Sequence, residues 1–170
     1  MKRIISILFI LAMLTACSNN NNEIMAADSL KWYSLEEGLK IAKIQKKPVM
    51  VDFYADWCSW CKKMDKEVFN EANVKKELMS KYILVKVDTE SNDTIKYEGK
   101  TYSPQEFSSA FGVTGLPTLL FIDKNGKPVT KLPGYVPATE FKPIIEYIFK
   151  ECYTKNIALA DFISGKAKCN

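Results

Sequence analysis

The sequence predicts a protein of the α/β class, in which helices flank a central sheet of mixed strand direction. The apolar run from Val49 to Ala55 precedes a helical pattern, and residues 83–87 alternate into a second strand. Two strands joined by a helix form a right-handed parallel crossover. Residues 118–122 and 128–132 flank the turn sequence 123–126, which predicts an antiparallel pair.

The first half of the chain contains two predicted helices. Ser34 begins a capping-box sequence, and the apolar face after it predicts a helix to about Lys46. A second helix begins near Cys58. It breaks at residues 70–73 and then continues through Leu78.

The second half begins with an irregular polar stretch, residues 89–102, which we interpret as an insertion. Ser103-Pro104-Gln105-Glu106 combines an N-cap serine, an N1 proline and a returning glutamate, so a short helix follows. A final amphipathic helix spans about residues 139–151, with Pro143 early in it. Its predicted buried face comprises Phe141, Ile144, Ile145, Ile148 and Phe149. Residues 156–164 predict one more short helix.

The N-terminal segment has the pattern of an export signal. The basic pair Lys2-Arg3 precedes an apolar run, residues 4–14, which is too short for a stable membrane span. Leu14-Thr15-Ala16-Cys17 resembles a bacterial lipobox, whose cysteine is lipidated and becomes the mature N-terminus. We expect a signal peptide at residues 1–16 and an acyl anchor on Cys17 that holds the protein on the extracytoplasmic, periplasmic side of a membrane. An ordinary secretory signal and an uncleaved anchor are the alternatives.

The rest of the chain divides into a tether, a domain and an extension. Residues 17–30 include four consecutive asparagines and no apolar period, so they predict a lipidated, flexible tether. About 140 residues follow, enough for one domain but short for two. We assign residues 31–153 to the domain and residues 154–170 to a C-terminal extension. Loss of Lys2 and Arg3 would lower the net charge of +4 by two, which argues against nucleic-acid binding.

Two closely spaced cysteines carry the candidate chemistry. Trp57-Cys58-Ser59-Trp60-Cys61 places both sulfurs on one helical turn, with Cys58 at the helix N-terminus, where the dipole favours a thiolate. A thiolate attacks a substrate disulfide, and a second thiol one turn on expels the substrate by closing an intramolecular disulfide. We therefore interpret Cys58 as the attacking cysteine and Cys61 as the less accessible resolving cysteine.

Other uses of these cysteines are a zinc half-site or two buried structural thiols. A structural zinc site needs four ligands, and the chain has no histidine and no second closely spaced cysteine pair. The lack of histidine also excludes Ser-His and Cys-His mechanisms. We predict neither a metal nor another cofactor. Cys152 and Cys169 remain as an even pair, which export would join as a structural disulfide; the alternative is a half-buried Cys152 and a free thiol at Cys169.

These residues resemble a known family. Asp52-Phe53-Tyr54-Ala55-Asp56-Trp57-Cys58-Ser59-Trp60-Cys61-Lys62-Lys63-Met64 is similar to the active-site strand and helix of the thioredoxin superfamily, and residues 112–118 are similar to its cis-proline loop. The resemblance runs from about Trp32 to Tyr153. The residue sequence of these motifs is similar to that of extracytoplasmic members, including the sulfur-oxidation-associated thioredoxin and the C-terminal domain of the membrane disulfide reductase. It implies a thioredoxin-like fold with a mixed sheet of four to five strands, here with an extra C-terminal helical segment.

The resemblance also implies roles around the cysteines. Asp52 stands where thioredoxins keep a buried acid beneath the resolving cysteine; a desolvated carboxyl there would have a raised pKa and could relay the proton of Cys61. Lys86 resembles the lysine that faces this acid, unless both side chains point to solvent at strand ends. Pro117 would follow a cis peptide bond and pair its loop with an extended substrate. The predicted apolar rim for that substrate comprises Trp57, Trp60, Leu116 and Tyr135.

The leading hypothesis is a lipid-anchored thiol–disulfide oxidoreductase that reduces protein or small-molecule disulfides. A membrane electron donor would re-reduce it. Strong oxidants of the superfamily place a histidine between their cysteines, and thioredoxin itself places a proline at the Trp60 position; the uncharged Trp60 favours a reductant. The alternatives are an oxidant or isomerase, and a module that binds copper(I) or a client protein without turnover.

Overall fold

The computed structural model describes residues 29–169. Within that range the strands are β1 (Trp32–Tyr33), β2 (Val49–Tyr54), β3 (Ile83–Asp88), β4 (Ile95–Tyr97), β5 (Lys100–Tyr102), β6 (Thr118–Ile122) and β7 (Pro128–Pro133). The α-helices are α1 (Leu35–Gln45), α2 (Ser59–Met64), α3 (Ala72–Lys81), α4 (Pro104–Ala110), α5 (Ala138–Phe149) and α6 (Leu159–Ile163). A π-helical segment, Asp65–Phe69, continues α2, and a 3₁₀ turn, Cys152–Lys155, follows α5.

The central sheet has five strands in the order β1-β3-β2-β6-β7. Strands β1 and β2 run parallel to β3, while β6 runs antiparallel to β2 and β7 antiparallel to β6. This mixed sheet with flanking helices confirms the predicted fold class. Because Phe53 of β2 is level with Thr118 of β6, the end of β2 and the start of β6 meet at one edge. That edge carries both the cysteine pair and the Pro117 loop.

Alternation along β2 sends its side chains into two cores, one on each face of the sheet. Val49, Val51 and Phe53 pack with the side covered by α1 and α4. Met50 packs on the other side, with residues of α2, α3 and α5. Each large apolar side chain buried in this way contributes about 1.5–3 kcal/mol to folding. Asp52 shares the face of Met50, so its carboxyl enters the layer of α2.

Helix starts follow the predicted capping chemistry. Ser34 caps α1 by accepting the backbone N–H of Glu37. Ser103 and Glu106 form the full reciprocal capping box at the start of α4, with Pro104 at the first helical position. On α5, Phe141, Ile145 and Ile148 are buried as predicted. The prediction is wrong for Phe149, whose side chain is 38% exposed because it lies at the last turn, beyond the edge of the core.

We expected residues 89–102 to be irregular, but the structure shows that part of this stretch is a regular hairpin. Strands β4 and β5 form an antiparallel hairpin across Glu98 and Gly99, both of which have a positive φ. The aromatic rings of Tyr97 and Tyr102 pack edge-on against Phe107 of α4. This burial of aromatic surface stabilises a hairpin whose strands are only three residues long.

Candidate active site

Cys58 is the N-cap of α2 and forms a disulfide with Cys61 in the first turn, with the two Cα atoms 5.3 Å apart. The Cys58 sulfur accepts the backbone N–H of Cys61 at 3.1 Å. Once the disulfide is reduced, this N–H and the start of the helix stabilise negative charge on the Cys58 sulfur. The local geometry therefore favours a thiolate at Cys58.

The two cysteines differ less in accessibility than expected. Cys58 is 3% exposed and Cys61 is 5% exposed, so both are buried. The prediction that Cys61 is the less accessible one is wrong for this disulfide form, because the cross-link holds both sulfurs against the same surroundings. The difference between the cysteines lies in hydrogen bonding, since Cys58 accepts the amide of Cys61.

Asp52 and Lys86 are adjacent across β2 and β3, and neither points freely to solvent. Asp52 is 2% exposed, and one of its carboxylate oxygens, Oδ1, is buried without a hydrogen-bond partner. Its other oxygen lies 3.7 Å from the Lys86 amine. Burial raises the pKa of Asp52 to about 7, against the lowering effect of Lys86. This carboxyl can therefore hold or release a proton near neutral pH.

Asp65 is a member of this cluster that the sequence reasoning missed. Lys86 donates to both carboxylate oxygens of Asp65 at 2.8 Å, much closer than its approach to Asp52. The same amine lies 4.8 Å from the ring centroid of Trp32 and 5.0 Å from that of Tyr54. The available signal was helical spacing, because Asp65 lies four residues after Cys61 on a continuous helix.

An exposed aromatic surface lies beside the cysteines. Trp57 is 67% exposed and Trp60 is 54% exposed. The Trp60 ring packs against Tyr135 with centroids 5.5 Å apart, and the Lys63 amine lies 5.0 Å from each of these two rings. The Tyr135 hydroxyl donates to Glu67 at 2.9 Å. The structure thus brings together two of the four predicted rim residues, Trp60 and Tyr135.

The Pro117 loop lies at the same edge of the sheet. The Leu116–Pro117 peptide bond is cis, Pro117 is buried and Leu116 is half-buried against the core. The Thr118 hydroxyl donates to the Gly115 carbonyl at 2.7 Å, and the Pro117 carbonyl accepts the N–H of Gly134 at 2.8 Å. These hydrogen bonds hold the loop in a defined position next to the end of β2.

The remaining cysteines lie elsewhere. Cys152 is fully buried after α5 and is joined by a disulfide to Cys169, which ties the C-terminal segment to the domain. The predicted lipidation residue, Cys17, lies outside the described residues. Within residues 29–169 no helix is both long and apolar enough to cross a bilayer. In the same range, no group of three or more cysteine, aspartate and glutamate side chains is arranged to hold a metal ion.

The sheet order and the disulfide at the start of α2 define a protein of the dithiol–disulfide class with a mixed α/β fold. A family model described as a thioredoxin-like domain matches residues 35–149, which is more than half of the chain. The chain belongs to the thioredoxin-like family. A second model, a prokaryotic membrane lipoprotein lipid attachment site, matches residues 1–18.

Known proteins show the same relationship. The thiol:disulfide interchange protein DsbD of Colwellia psychrerythraea is 36% identical over 118 residues, which cover 68% of this chain but only 18% of the relative. The thioredoxin of Thermus thermophilus superposes with a TM-score of 0.58 and 28% identity, over 71% of this chain and 87% of that one. The reduced C-terminal domain of Neisseria meningitidis DsbD gives 0.51 and 26%, over 66% and 91%. With the Cys58–Cys61 disulfide, these similarities identify a thiol–disulfide oxidoreductase.

Proposed function

We propose that this protein is a lipid-anchored, extracytoplasmic oxidoreductase that reduces disulfides through a mixed disulfide on Cys58. The observation that carries the proposal is the environment of the Cys58 sulfur. It caps α2, accepts the amide of Cys61 and is within bonding reach of the Cys61 sulfur. In the reduced protein, a thiol in this position is readily deprotonated to the thiolate. Cys61 is placed to resolve the mixed disulfide.

The reaction transfers two electrons from the dithiol to the substrate. The Cys58 thiolate attacks one sulfur of the substrate disulfide, so a mixed disulfide forms and the other substrate sulfur leaves as a thiolate. Cys61 then loses its proton and attacks the Cys58 sulfur. The Cys58–Cys61 disulfide closes, and the second substrate sulfur departs and is protonated. The substrate is reduced and the protein is oxidised.

Asp52 is the group we assign to the proton of Cys61. Its carboxyl is buried in the layer of α2, and burial raises its pKa to about 7. A general base works best when its pKa lies near the working pH, because it can both accept and return the proton. Lys86 limits this effect from 3.7 Å away, which keeps part of the Asp52 population ionised.

The exposed aromatic surface and the cis-proline loop are the substrate-binding elements in this proposal. Trp57 and Trp60 present apolar area to solvent directly beside the cysteines. The Pro117 loop lies at the same edge of the sheet, where an extended segment of substrate can pair with its backbone. A protein segment that carries a disulfide fits this surface, and a small disulfide can use the tryptophans alone.

Anchoring and electron supply complete the proposal. The lipid attachment model over residues 1–18 supports acylation of Cys17 and a location on the outer side of a bacterial membrane. An extracytoplasmic reductant needs a source of electrons, so we propose a membrane electron donor as a partner. The DsbD relatives are named for thiol:disulfide interchange, although this chain spans less than a fifth of their length.

The reduction potential of the Cys58–Cys61 couple tests the direction of electron flow. A value of about −270 mV, as in thioredoxin, is expected for a reductant, whereas a value of about −120 mV identifies an oxidant. Insulin reduction should proceed with the parent protein and stop with Cys58→Ser. Equal inactivity of both proteins would indicate a binding module for copper(I) or a client. Mass analysis of the membrane-bound protein tests acylation, which Cys17→Ser should abolish.

A further inference from the structure

The chain enters the domain at the end opposite the redox site. Trp32 of β1 is level with Leu84 of β3 and therefore with Met50 of β2, and all three strands run in the same direction. Residues 29–31 thus lie at the amino end of the sheet, whereas Cys58 follows its carboxyl end. At about 3.3 Å per residue, the six residues of β2 separate the two ends by about 20 Å.

Positive charge collects at this entry end. Helix α1 ends there, and the turn between β6 and β7 lies at the same end of the sheet. Together they form an exposed surface that we call the basic end, made of Lys43, Ile44, Lys46, Lys124 and Lys127. Lys43, Lys46 and Lys124 line one groove, in which lysines outnumber the two glutamates that also line it.

Most of this charge is not neutralised within the molecule. Lys124 pairs with Glu151 at 2.8 Å. Within residues 29–169, Lys43, Lys46 and Lys127 form no ion pair with a carboxylate. Unpaired exposed lysines gain little from folding, but they attract an anionic surface at short range.

The basic end also includes one exposed apolar side chain. Ile44 is 81% exposed, the largest exposed fraction of any large apolar side chain in the described part of the chain. It stands between Lys43 and Lys46 near the end of α1. An exposed apolar residue on a helix that also exposes lysines is suited to a surface that rests on lipid headgroups.

The redox end carries charges of both signs, because exposed lysines of α2 and of the π-helical segment lie there together with several acids. Asp56, Glu90 and Asp93 are exposed beyond the carboxyl ends of β2 and β3, and Asp88 is half-buried there. An anionic surface would therefore attract the basic end more strongly than the redox end, where acids stand beside the lysines.

We propose that the basic end docks on the surface of a bilayer that contains anionic phospholipid, so that the redox site faces away from the membrane. The proposal rests on the lipid anchoring proposed above, because the anchor keeps the basic end near the bilayer. Residues 17–28 join the domain at this end and can extend over at most about 40 Å. A membrane electron donor must then contact the cysteines with a segment or domain of its own that extends outside the bilayer.

Vesicle co-sedimentation of the mature chain, residues 17–170 with Cys17→Ser, tests the docking without an acyl chain. The sheet and both cores consist of residues after 29, so the folded part is retained. We expect binding to phosphatidylcholine vesicles that contain phosphatidylglycerol, at an ionic strength of about 0.15 M, and none to phosphatidylcholine alone. Binding weakens about fivefold per lysine charge removed near such a surface, so Lys43→Glu with Lys46→Glu should weaken it at least about 25-fold.

The matched control is Lys62→Glu with Lys66→Glu, which makes the same charge change on exposed residues at the redox end. The control should bind almost as the parent does, whereas Ile44→Ser should bind severalfold more weakly. Equal loss in both double variants, equal binding to neutral vesicles, or unchanged binding by Ile44→Ser would overturn the proposal. Insulin reduction and the mass of Cys17 are independent of this assay, so they show separately whether the proposed function fails.

Discussion

The two disulfides of the described chain are the same covalent bond in two different settings. Cys58–Cys61 spans three residues at the start of a helix, next to the two exposed tryptophans Trp57 and Trp60. Cys152–Cys169 spans 17 residues and joins a buried position after α5 to the C-terminal segment. The Lys124–Glu151 ion pair places Cys152 beside the β6–β7 turn, at the end of the sheet opposite the redox site.

The comparison shows that reactivity comes from the surroundings of a sulfur. The Cys58 sulfur has an amide donor, and Asp52, the proposed proton acceptor of Cys61, is buried in the layer of α2. Within residues 29–169 no hydrogen bond is formed by the sulfur of either Cys152 or Cys169. The first disulfide is therefore suited to exchange, and the second to holding two segments together.

Substitution of the resolving cysteine is expected to produce the largest difference between the two disulfides. Cys61→Ser should reduce insulin turnover to the uncatalysed background and should trap a mixed disulfide on Cys58, because nothing expels the substrate. Cys169→Ala should turn over insulin at the parent rate. Non-reducing gel electrophoresis with a disulfide substrate identifies the trapped species. A trapped species in Cys169→Ala, or normal turnover in Cys61→Ser, would reverse the assignment of the two bonds.

Asp52→Asn tests whether the buried acid distinguishes the redox disulfide. The pKa of Asp52 is about 7 in the folded state, against 3.8 for an aspartate carboxyl in water, so folding favours its protonated form. The folded protein is therefore fully stabilised below about pH 4 and loses stability as pH rises to about 7, by at most about 4 kcal/mol.

The asparagine variant lacks this loss. Its disulfide form should unfold at higher urea than the parent at pH 8 and at the same urea at pH 4, although its reductase activity should fall because Cys61 has lost its proton acceptor. A stability difference that does not change between these pH values would contradict the assignment.

The second disulfide should matter for stability instead of turnover. Cross-linking over this loop stabilises a fold by about 3 kcal/mol, mainly by restricting the unfolded chain. Cys169→Ala removes the bond and leaves the buried Cys152 side chain in place. Urea unfolding of the oxidised proteins should show a loss of about 3 kcal/mol. Unchanged stability would show that the C-terminal segment is held by its other contacts, such as the Tyr147–Phe162 ring pair.

The sequence predicted those parts of the fold whose signals are local. Strands β2, β3, β6 and β7 are apolar or alternating runs, and α4 begins with its own capping box. Strand β1 was missed because two residues carry no periodicity, and its pairing with Leu84 and Val85 is long-range. The β4–β5 hairpin was missed because its stability depends on rings that belong to α4 and the residue after it.

The candidate site followed the same division. The cysteine pair was predicted because both sulfurs lie in one helical turn. Helical spacing relates Asp65 to Cys61, but it does not reveal the contact of Asp65 with Lys86, which joins residues 21 positions apart on a helix and a strand. The equal burial of Cys58 and Cys61 also depends on the folded surroundings.

Asp65→Asn is expected to have the smallest effect, and it sharpens the account of the redox disulfide most. Lys86 contacts both oxygens of Asp65 at 2.8 Å and one oxygen of Asp52 at 3.7 Å, so the two acids compete for one cation. Loss of the Asp65 charge removes a repulsion that raises the pKa of Asp52. It also frees the Lys86 amine to move closer to the Asp52 carboxylate, whose Oδ1 has no hydrogen-bond partner. Both changes should lower the pKa of Asp52, so the pH profile of insulin reduction should move to lower pH.

The control for this shift is Asp56→Asn, which removes one negative charge from an exposed position at the same end of the sheet. A general loss of negative charge would shift both profiles equally, whereas competition for Lys86 shifts only that of Asp65→Asn. Lys86→Met should shift the profile in the opposite direction, because Asp52 would lose the attraction that opposes its burial. If Asp65→Asn and Lys86→Met shift the profile in the same direction, the lysine does not set the protonation of Asp52, and burial alone distinguishes this carboxyl.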